Sequence, residues 1–167
     1  WILLNVKHKS YLNFFENKRN NYPFFILFIL FYLQIIVGAF VSGLDAGQIY
    51  QTWPLMNYSY FPDDTLIDKI SNLLNFDNPG LVQFYHRNIA YLIMIYILIF
   101  GYFIYKNNLN KIFVSYYLVL ILLIFQILLG IMTLITGLNI FIAFSHQICS
   151  LLLVLSFINL YYKYKLN

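Results

Sequence analysis

The chain alternates four long apolar stretches with shorter polar segments. The apolar stretches cover residues 23–42, 82–104, 112–135 and 140–162. Each reaches the roughly 20 residues that an α-helix needs to cross the hydrocarbon core of a bilayer. The pattern predicts an all-α fold, an integral membrane four-helix bundle over residues 23–163. Residues 1–22 form a basic lead-in, and residues 43–81 form one long outer loop between the first two spans.

The composition agrees with a membrane protein and excludes an ordinary soluble domain. Of the 167 residues, 62% are hydrophobic and 10% are charged, whereas about a quarter of the residues of a soluble domain are charged. The first residue is Trp1 instead of methionine, so we expect a piece of a longer protein, such as one half of it.

The charged residues predict the orientation of the spans. Basic residues precede the first span, lie between the second and third, and follow the fourth: Lys7, Lys9, Lys18, Arg19, Lys106, Lys111, Lys163 and Lys165. The long loop instead carries five aspartates and one lysine: Asp45, Asp63, Asp64, Asp68, Asp77 and Lys69. The positive-inside rule therefore predicts that both termini face the cytoplasm or matrix. The net charge of +4 reflects this topology and does not indicate a nucleic-acid partner.

Two of the spans share a polar motif, which indicates an internal repeat. Gln34 is followed four residues later by Gly38 in the first span, and Gln126 by Gly130 in the third. Each of these spans precedes one that carries a histidine, so the chain consists of two helix pairs. Repeats in membrane bundles commonly form a shared site between their halves. We expect the glutamines to hydrogen-bond across the bundle, and the glycines to admit a flat ring or close helix packing.

His86 and His146 are the candidate ligands of that site. An ionisable ring at membrane depth is costly, so its default interpretation is functional. His86 lies about four residues into the second span and His146 about six into the fourth, and both spans run in the same direction. At the helical rise, both rings lie roughly 6–9 Å below the outer boundary. The matched depths favour a metal or haem held between helices over two unrelated core histidines.

A haem suits these ligands better than a bare metal ion. Zinc needs two further ligands, and the spans offer only Cys149. Haem iron needs two axial ligands, and its apolar macrocycle suits an aromatic-rich interior. Arg87, next to His86, is the candidate partner of the anionic propionates. The alternative is an arginine that simply extends toward water.

The 43–81 loop is long enough either to cover a bound ligand or merely to link two spans. Residues 44–53 mix aromatic and polar side chains, which predicts a short helix at the membrane interface. Residues 65–74 predict a second one.

Several segments resemble the haem A synthase family. They are GAFVSGLDAG at 38–47 with TWPLM at 52–56, NPGLVQFYHR at 78–87, QILLGI at 126–131 and SHQ at 145–147. The similarity extends from about residue 30 to residue 155. The loop carries no cysteine pair, which resembles the alphaproteobacterial and mitochondrial branch and implies a bacterial inner membrane or a mitochondrial inner membrane.

The resemblance implies that this chain is the C-terminal four-helix half of a tandem eight-helix architecture. Full-length members oxidise the methyl group of haem O to the formyl group of haem A for cytochrome oxidase assembly, with the substrate haem in the N-terminal half. There a glutamate lies three residues before a histidine, and here Gln83 stands at that position. An amide cannot act as a general base at neutral pH. The half is therefore expected to hold a haem b and to contribute no catalytic residue.

The resemblance also implies roles for the site residues and the partners. His86 and His146 would be the axial ligands of a six-coordinate iron suited to electron transfer. The residues expected around the haem are Arg87, Gln83, Gly38, Gly130, Gln34 and Gln126. Expected partners are the missing N-terminal half and the lipid bilayer. Haem O synthase, an electron donor and a second copy of the chain are further candidates.

Two other functions are compatible with parts of the pattern. A stand-alone bis-histidine cytochrome b-type electron carrier would also bind haem. Carriers that move electrons across a whole membrane often need two haems and four histidines, and only two are available here. A small transporter or assembly factor without a cofactor would leave the matched histidine depths unexplained.

Overall fold

A computed structural model describes residues 1–15, 21–63 and 73–166. Within these ranges five α-helices follow one another: α1 (Ile2–His8), α2 (Tyr22–Gly43), α3 (Pro79–Lys106), α4 (Phe113–Ile135) and α5 (Ile140–Leu166). Short 3-10 turns lie at Ala46–Gln48 and Asn110–Ile112. The last four α-helices are long and apolar enough to cross a membrane. The predicted all-α membrane bundle is therefore confirmed.

Side chains next to the long helices determine where two of them begin. The Asn78 side chain accepts a hydrogen bond of 2.9 Å from the Leu81 backbone N–H, and Pro79 occupies the first turn of α3. The Asn139 side chain accepts bonds from the first backbone N–H groups of α5. Both asparagines satisfy amide groups that a helix start leaves without intrahelical partners.

Three of the four long helices extend beyond their predicted spans, whereas α4 begins at Phe113, one residue after the predicted start. The predicted interfacial helix at residues 44–53 is wrong, because only the 3-10 turn Ala46–Gln48 is helical there. Asp45 has a φ of 49°, in the left-handed region that interrupts a helix. The Tyr50 carbonyl accepts side-chain donors from α3. The other predicted interfacial helix falls mainly on residues 64–72, which lie outside the described residues.

The bundle is packed most densely at one end, where the aromatic rings are concentrated. We call this the basic end, since Lys106, Lys111, Lys163 and Lys165 lie there, and we call the opposite end the loop end. At the basic end, Phe24 meets Phe100 edge to face at 4.9 Å between ring centroids, and Phe31 meets Phe157 at 5.2 Å. Helix α2 packs chiefly on α3, and α4 chiefly on α5. The two pairs therefore meet through this aromatic core and enclose a cavity nearer the loop end.

Gly101 gives a stability prediction for this core. A Cβ atom at Gly101 would overlap the Tyr116 hydroxyl, which is buried and donates a 3.1 Å hydrogen bond to the Ile97 carbonyl. Gly101→Ala is expected to lower the free energy of unfolding of the full-length protein by about 1–3 kcal/mol, the usual cost of overpacking. Thermal unfolding in detergent measures this. Gly43→Ala is the control, because a Cβ there meets no atom within 4 Å; equal melting of both variants would contradict the packing argument.

Candidate functional site

A cavity of about 740 Å³ lies between the two helix pairs, within the size range of small-molecule sites. All four long helices and the loop line it. The eight residues that the sequence predicts for the site all lie on its wall: Gln34, Gly38, Gln83, His86, Arg87, Gln126, Gly130 and His146. His86 lies seven residues after the start of α3, and His146 six after the start of α5.

In the first helix pair, the His86 ring lies between a glutamine and a glycine of α2. The Gln34 amide nitrogen is 3.3 Å from His86 Nε2. A Cβ atom at Gly38 would lie 3.0 Å from His86 Cε1 and 3.5 Å from its Nδ1. The absence of a side chain at Gly38 therefore makes the space that the imidazole occupies.

The second helix pair repeats this arrangement. The Gln126 amide nitrogen is 3.2 Å from His146 Nε2, and a Cβ atom at Gly130 would lie 3.0 Å from His146 Cε1. Both glutamines thus bond to the histidine of their own helix pair, on the adjacent helix. The repeated sequence motif corresponds to a repeated three-residue geometry, once on each side of the cavity.

The hydrogen bonds of His146 determine which ring nitrogen carries the proton. The Gln126 amide nitrogen can only donate, so His146 Nε2 accepts. The Gln126 backbone carbonyl can only accept, so Nδ1, at 3.1 Å from it, donates. Both bonds require the tautomer with its proton on Nδ1, which leaves the lone pair on Nε2, where it accepts from the Gln126 amide. Ligating histidines in proteins commonly show this pattern.

Unpaired polar atoms are concentrated at the cavity. Among the described residues, the buried side-chain nitrogen and oxygen atoms without a hydrogen bond are Gln34 Oε1, Gln83 Oε1, His86 Nδ1, Arg87 Nε and Gln126 Oε1. Every one belongs to a residue on the cavity wall. The Gln34 backbone lies near the His86 ring, but His86 Nδ1 makes no hydrogen bond of ordinary geometry. Each unsatisfied buried group costs about 1–3 kcal/mol, so this concentration indicates a cavity that receives a polar or charged ligand.

Arg87 and Gln83 hold the loop over the cavity. Arg87 Nη2 donates to the Tyr50 carbonyl at 3.0 Å and Nη1 to the Leu55 carbonyl at 3.3 Å. Gln83 Nε2 donates to the same Tyr50 carbonyl at 3.0 Å. Arg87 is 8% exposed, so it does not extend toward water. Both side chains therefore hold the loop against α3 from the cavity side.

Further contacts that the sequence did not predict complete the cover. The Trp53 indole N–H donates to the Tyr91 hydroxyl at 2.9 Å, and both residues line the cavity. Gly47 lies so close to Leu138, in the turn between α4 and α5, that a Cβ there would be 2.7 Å from the leucine side chain. The loop thus spans both helix pairs. A tryptophan in a loop and a tyrosine in a span give no local sign of such a contact.

The described residues form no group of three or more histidine, cysteine, aspartate or glutamate side chains able to hold a metal ion. The cavity wall includes the imidazoles of His86 and His146 and the carboxylate of Asp45, and the two imidazoles are the donors that would suit a haem iron. The imidazole pair, the unpaired polar atoms and the apolar remainder of the wall fit a haem, which brings its own four nitrogen ligands.

The helices and the cavity define an integral membrane helical bundle with an imidazole-lined internal site. Residues 1–158 match the family described as "Cytochrome oxidase assembly protein". The chain is 43% identical over 165 residues to a "Heme A synthase" of Pelagibacter ubique, covering 98% of this chain and 47% of that protein. It is 42% identical over 128 residues to one of a Wolbachia from Brugia malayi, and 36% identical over 123 residues to one of Rickettsia massiliae. These alignments cover 77% and 74% of this chain, and 36% of each relative.

The chain belongs to this family of cytochrome oxidase assembly proteins. It spans about half the length of the Pelagibacter relative and about a third of the other two. No solved structure matches it significantly. The resemblance stated from the motifs is thus confirmed at the level of the family, and so is the expectation that the chain is one part of a longer domain.

Proposed function

We propose that this chain is the haem b-binding half of a haem A synthase. The whole enzyme would oxidise the methyl group of haem O to the formyl group of haem A for cytochrome oxidase assembly. The observation that carries the proposal is the pair of imidazoles, one from each helix pair, on the wall of a single cavity. The relatives named "Heme A synthase" supply the reaction.

His86 and His146 would hold the haem iron through their Nε2 atoms. The Gln126 carbonyl keeps the proton of His146 on Nδ1, and each glutamine amide orients its ring until Nε2 takes the metal. A haem with two imidazole ligands supplies one-electron redox chemistry. The protein's contribution is to fix both rings and to exclude water with the loop.

Arg87 would offset the negative charge of a propionate. Its guanidinium is buried, and its Nε has no hydrogen-bond partner among the described residues. The ionisable side chains near it include Tyr60, Tyr91 and His86. A buried cation beside tyrosines complements an anionic group in the cavity. The two carbonyls that it already binds keep it at the cavity wall.

The side chain of Gln83 supports different roles for the two halves of the enzyme. Its amide donates to the Tyr50 carbonyl and cannot act as a general base, so it holds the loop and takes no part in proton transfer. Oxidation of the methyl group would therefore take place in the other half. By the positive-inside rule, the basic end would face the cytoplasm of a bacterial cell.

The bond between Gln126 and His146 gives a prediction, because the Nε2 lone pair cannot accept from the amide and bind iron at the same time. Gln126→Leu keeps about the size of the side chain and the backbone carbonyl that binds Nδ1, but removes the amide that Nε2 must release, so haem affinity is expected to rise by roughly 5-fold, the value of about 1 kcal/mol for one hydrogen bond. The measurement is a haem titration of the full-length apoprotein. Gln147→Leu on the neighbouring helix, also on the cavity wall but without a bond to either histidine, is the control. Equal affinities in both variants would mean that the Gln126 amide does not compete with the iron.

Extraction of bound haems tests the proposed function as a whole. The full-length protein is purified from cells that make haem O, and the extracted haems are identified by chromatography and mass. We expect haem b together with haem O or haem A, and His146→Ala should lose haem b selectively. A protein that carries no haem b, or that loses only haem O in this variant, would contradict the proposal.

A further inference from the structure

Residues 1–15, the N-terminal strap, are folded against the basic end of the bundle. The Trp1 ring packs on Phe14, Tyr161 and Tyr162, with ring centroids 5.0, 5.5 and 5.0 Å away. The Trp1 indole N–H donates to the Leu12 carbonyl at 2.6 Å, which closes the strap on itself. The strap is therefore packed on the bundle as part of the fold, whereas the sequence predicted only a basic lead-in.

Helix α5 holds the strap at a fixed level. The Tyr162 hydroxyl donates to the Leu4 carbonyl at 2.9 Å, and the Tyr161 hydroxyl to the Phe14 carbonyl at 3.0 Å. Lys165 donates to the Asn13 carbonyl at 2.6 Å. All three donors lie in the last two turns of α5, a helix of membrane-spanning length. The strap consequently lies at the level where the hydrocarbon of a bilayer gives way to headgroups.

The outer surface of the strap is apolar. Ile2, Leu3 and Val6 share one face of α1 and are 79%, 84% and 72% exposed. Tyr11 and Phe15 are also largely exposed. A group of exposed aliphatic and aromatic side chains marks a contact surface, and at this level of the bundle the adjacent phase is the lipid boundary.

The positive charge of the basic end favours contact with anionic lipids. Lys7 and Lys9 are exposed on the strap, and Lys106 and Lys111 are exposed on the same end of the bundle. The described carboxylate side chains, those of Asp45, Asp63 and Asp77, all belong to the loop end. Apolar side chains flanked by lysines are typical of segments that bind anionic membrane surfaces.

We propose that the N-terminal strap is a binding surface for anionic phospholipids. Ile2, Leu3 and Val6 enter the boundary between headgroups and acyl chains, while Lys7 and Lys9 contact the phosphate groups. The proposal does not depend on the haem site. A second protein segment packed on the same apolar face is the competing occupant, and the experiment distinguishes the two.

The test uses the full-length protein, with its other cysteines replaced, in nanodiscs. Val6→Cys carries an environment-sensitive fluorophore, and Tyr58→Cys, a position 97% exposed at the loop end, carries the same label as control. The discs contain phosphatidylcholine alone or with equal phosphatidylglycerol, and either plain or brominated acyl chains. We expect blue-shifted emission and quenching by brominated lipid at position 6 but not at position 58. Phosphatidylglycerol should increase the quenching, and Lys7→Gln with Lys9→Gln should remove that increase.

Three results would overturn the proposal. Water-like emission at position 6 would mean that the strap does not meet the bilayer. Emission shielded from iodide but insensitive to brominated lipid would mean that protein covers the apolar face. Quenching that phosphatidylglycerol leaves unchanged would mean that the lysines do not select anionic headgroups.

Discussion

Replacing either His86 or His146 by alanine is expected to abolish the six-coordinate spectrum of haem b in the full-length protein. Each ring comes from a different helix pair, and both face one cavity. Removal of one ring leaves one axial position without a protein ligand, so the haem becomes five-coordinate or is lost. The measurements are haem content per protein and the visible spectrum of the reduced protein.

The chain offers a matched control for this experiment. His8 lies in α1 at the basic end and is exposed, so His8→Ala should retain the haem and its spectrum. A six-coordinate spectrum that survives in His86→Ala or His146→Ala would remove that residue from the ligand pair. Unequal effects, with full binding in one variant, would indicate a single axial histidine.

Enlarging Gly38 or Gly130 is expected to prevent haem binding almost as strongly as loss of a histidine. Even a Cβ atom would lie 3.0 Å from the Cε1 atom of the facing imidazole, which is closer than ordinary packing permits. A leucine must therefore displace the ring. Loss of an outer-shell partner lowers metal affinity by roughly 10- to 100-fold, and displacement of the ligand itself should lower haem affinity by at least as much. Haem titration of Gly38→Leu and Gly130→Leu in the full-length protein measures the loss.

Gly43→Leu separates this steric effect from the general effect of a glycine substitution. Gly43 lies on α2, the same helix as Gly38, and lines the same cavity, but a Cβ there meets no atom within 4 Å. Because the substitution displaces neither imidazole, we expect this variant to bind haem normally. Normal binding by Gly38→Leu and Gly130→Leu as well would show that the glycines serve only helix packing, the alternative that the sequence left open.

The fold could be predicted from the sequence where a single property, such as hydropathy, is maintained over a long stretch of residues. Hydropathy over more than 20 residues predicted all four long helices, since a bilayer requires that length. The histidines could also be assigned to one site, because helix direction and rise convert sequence position into depth. The same Gln-x-x-x-Gly motif occurs in the first span, at Gln34 and Gly38, and in the third, at Gln126 and Gly130. This repeat indicated the two helix pairs. In the structure each pair surrounds its own histidine.

The rest depends on contacts between distant residues. The Tyr50 carbonyl receives donors from Gln83 and Arg87, which lie 33 and 37 residues away in the chain. No local pattern marks one carbonyl as their acceptor, and the mixture of aromatic and polar residues at 44–53 wrongly predicted a short helix there. The N-terminal strap escaped prediction for the same reason, because its partners Tyr161 and Tyr162 lie at the opposite end of the sequence.

The central claim is that both imidazoles bind one iron, and chemical rescue tests it most directly. His86→Ala and His146→Ala are prepared in the full-length protein with and without added imidazole, and the oxidised haem is examined by electron paramagnetic resonance. The account predicts that each substitution removes the low-spin signal of the site and that imidazole restores it in both variants, while His8→Ala shows the signal throughout. Persistence of the low-spin signal of haem b in either variant without imidazole would contradict it.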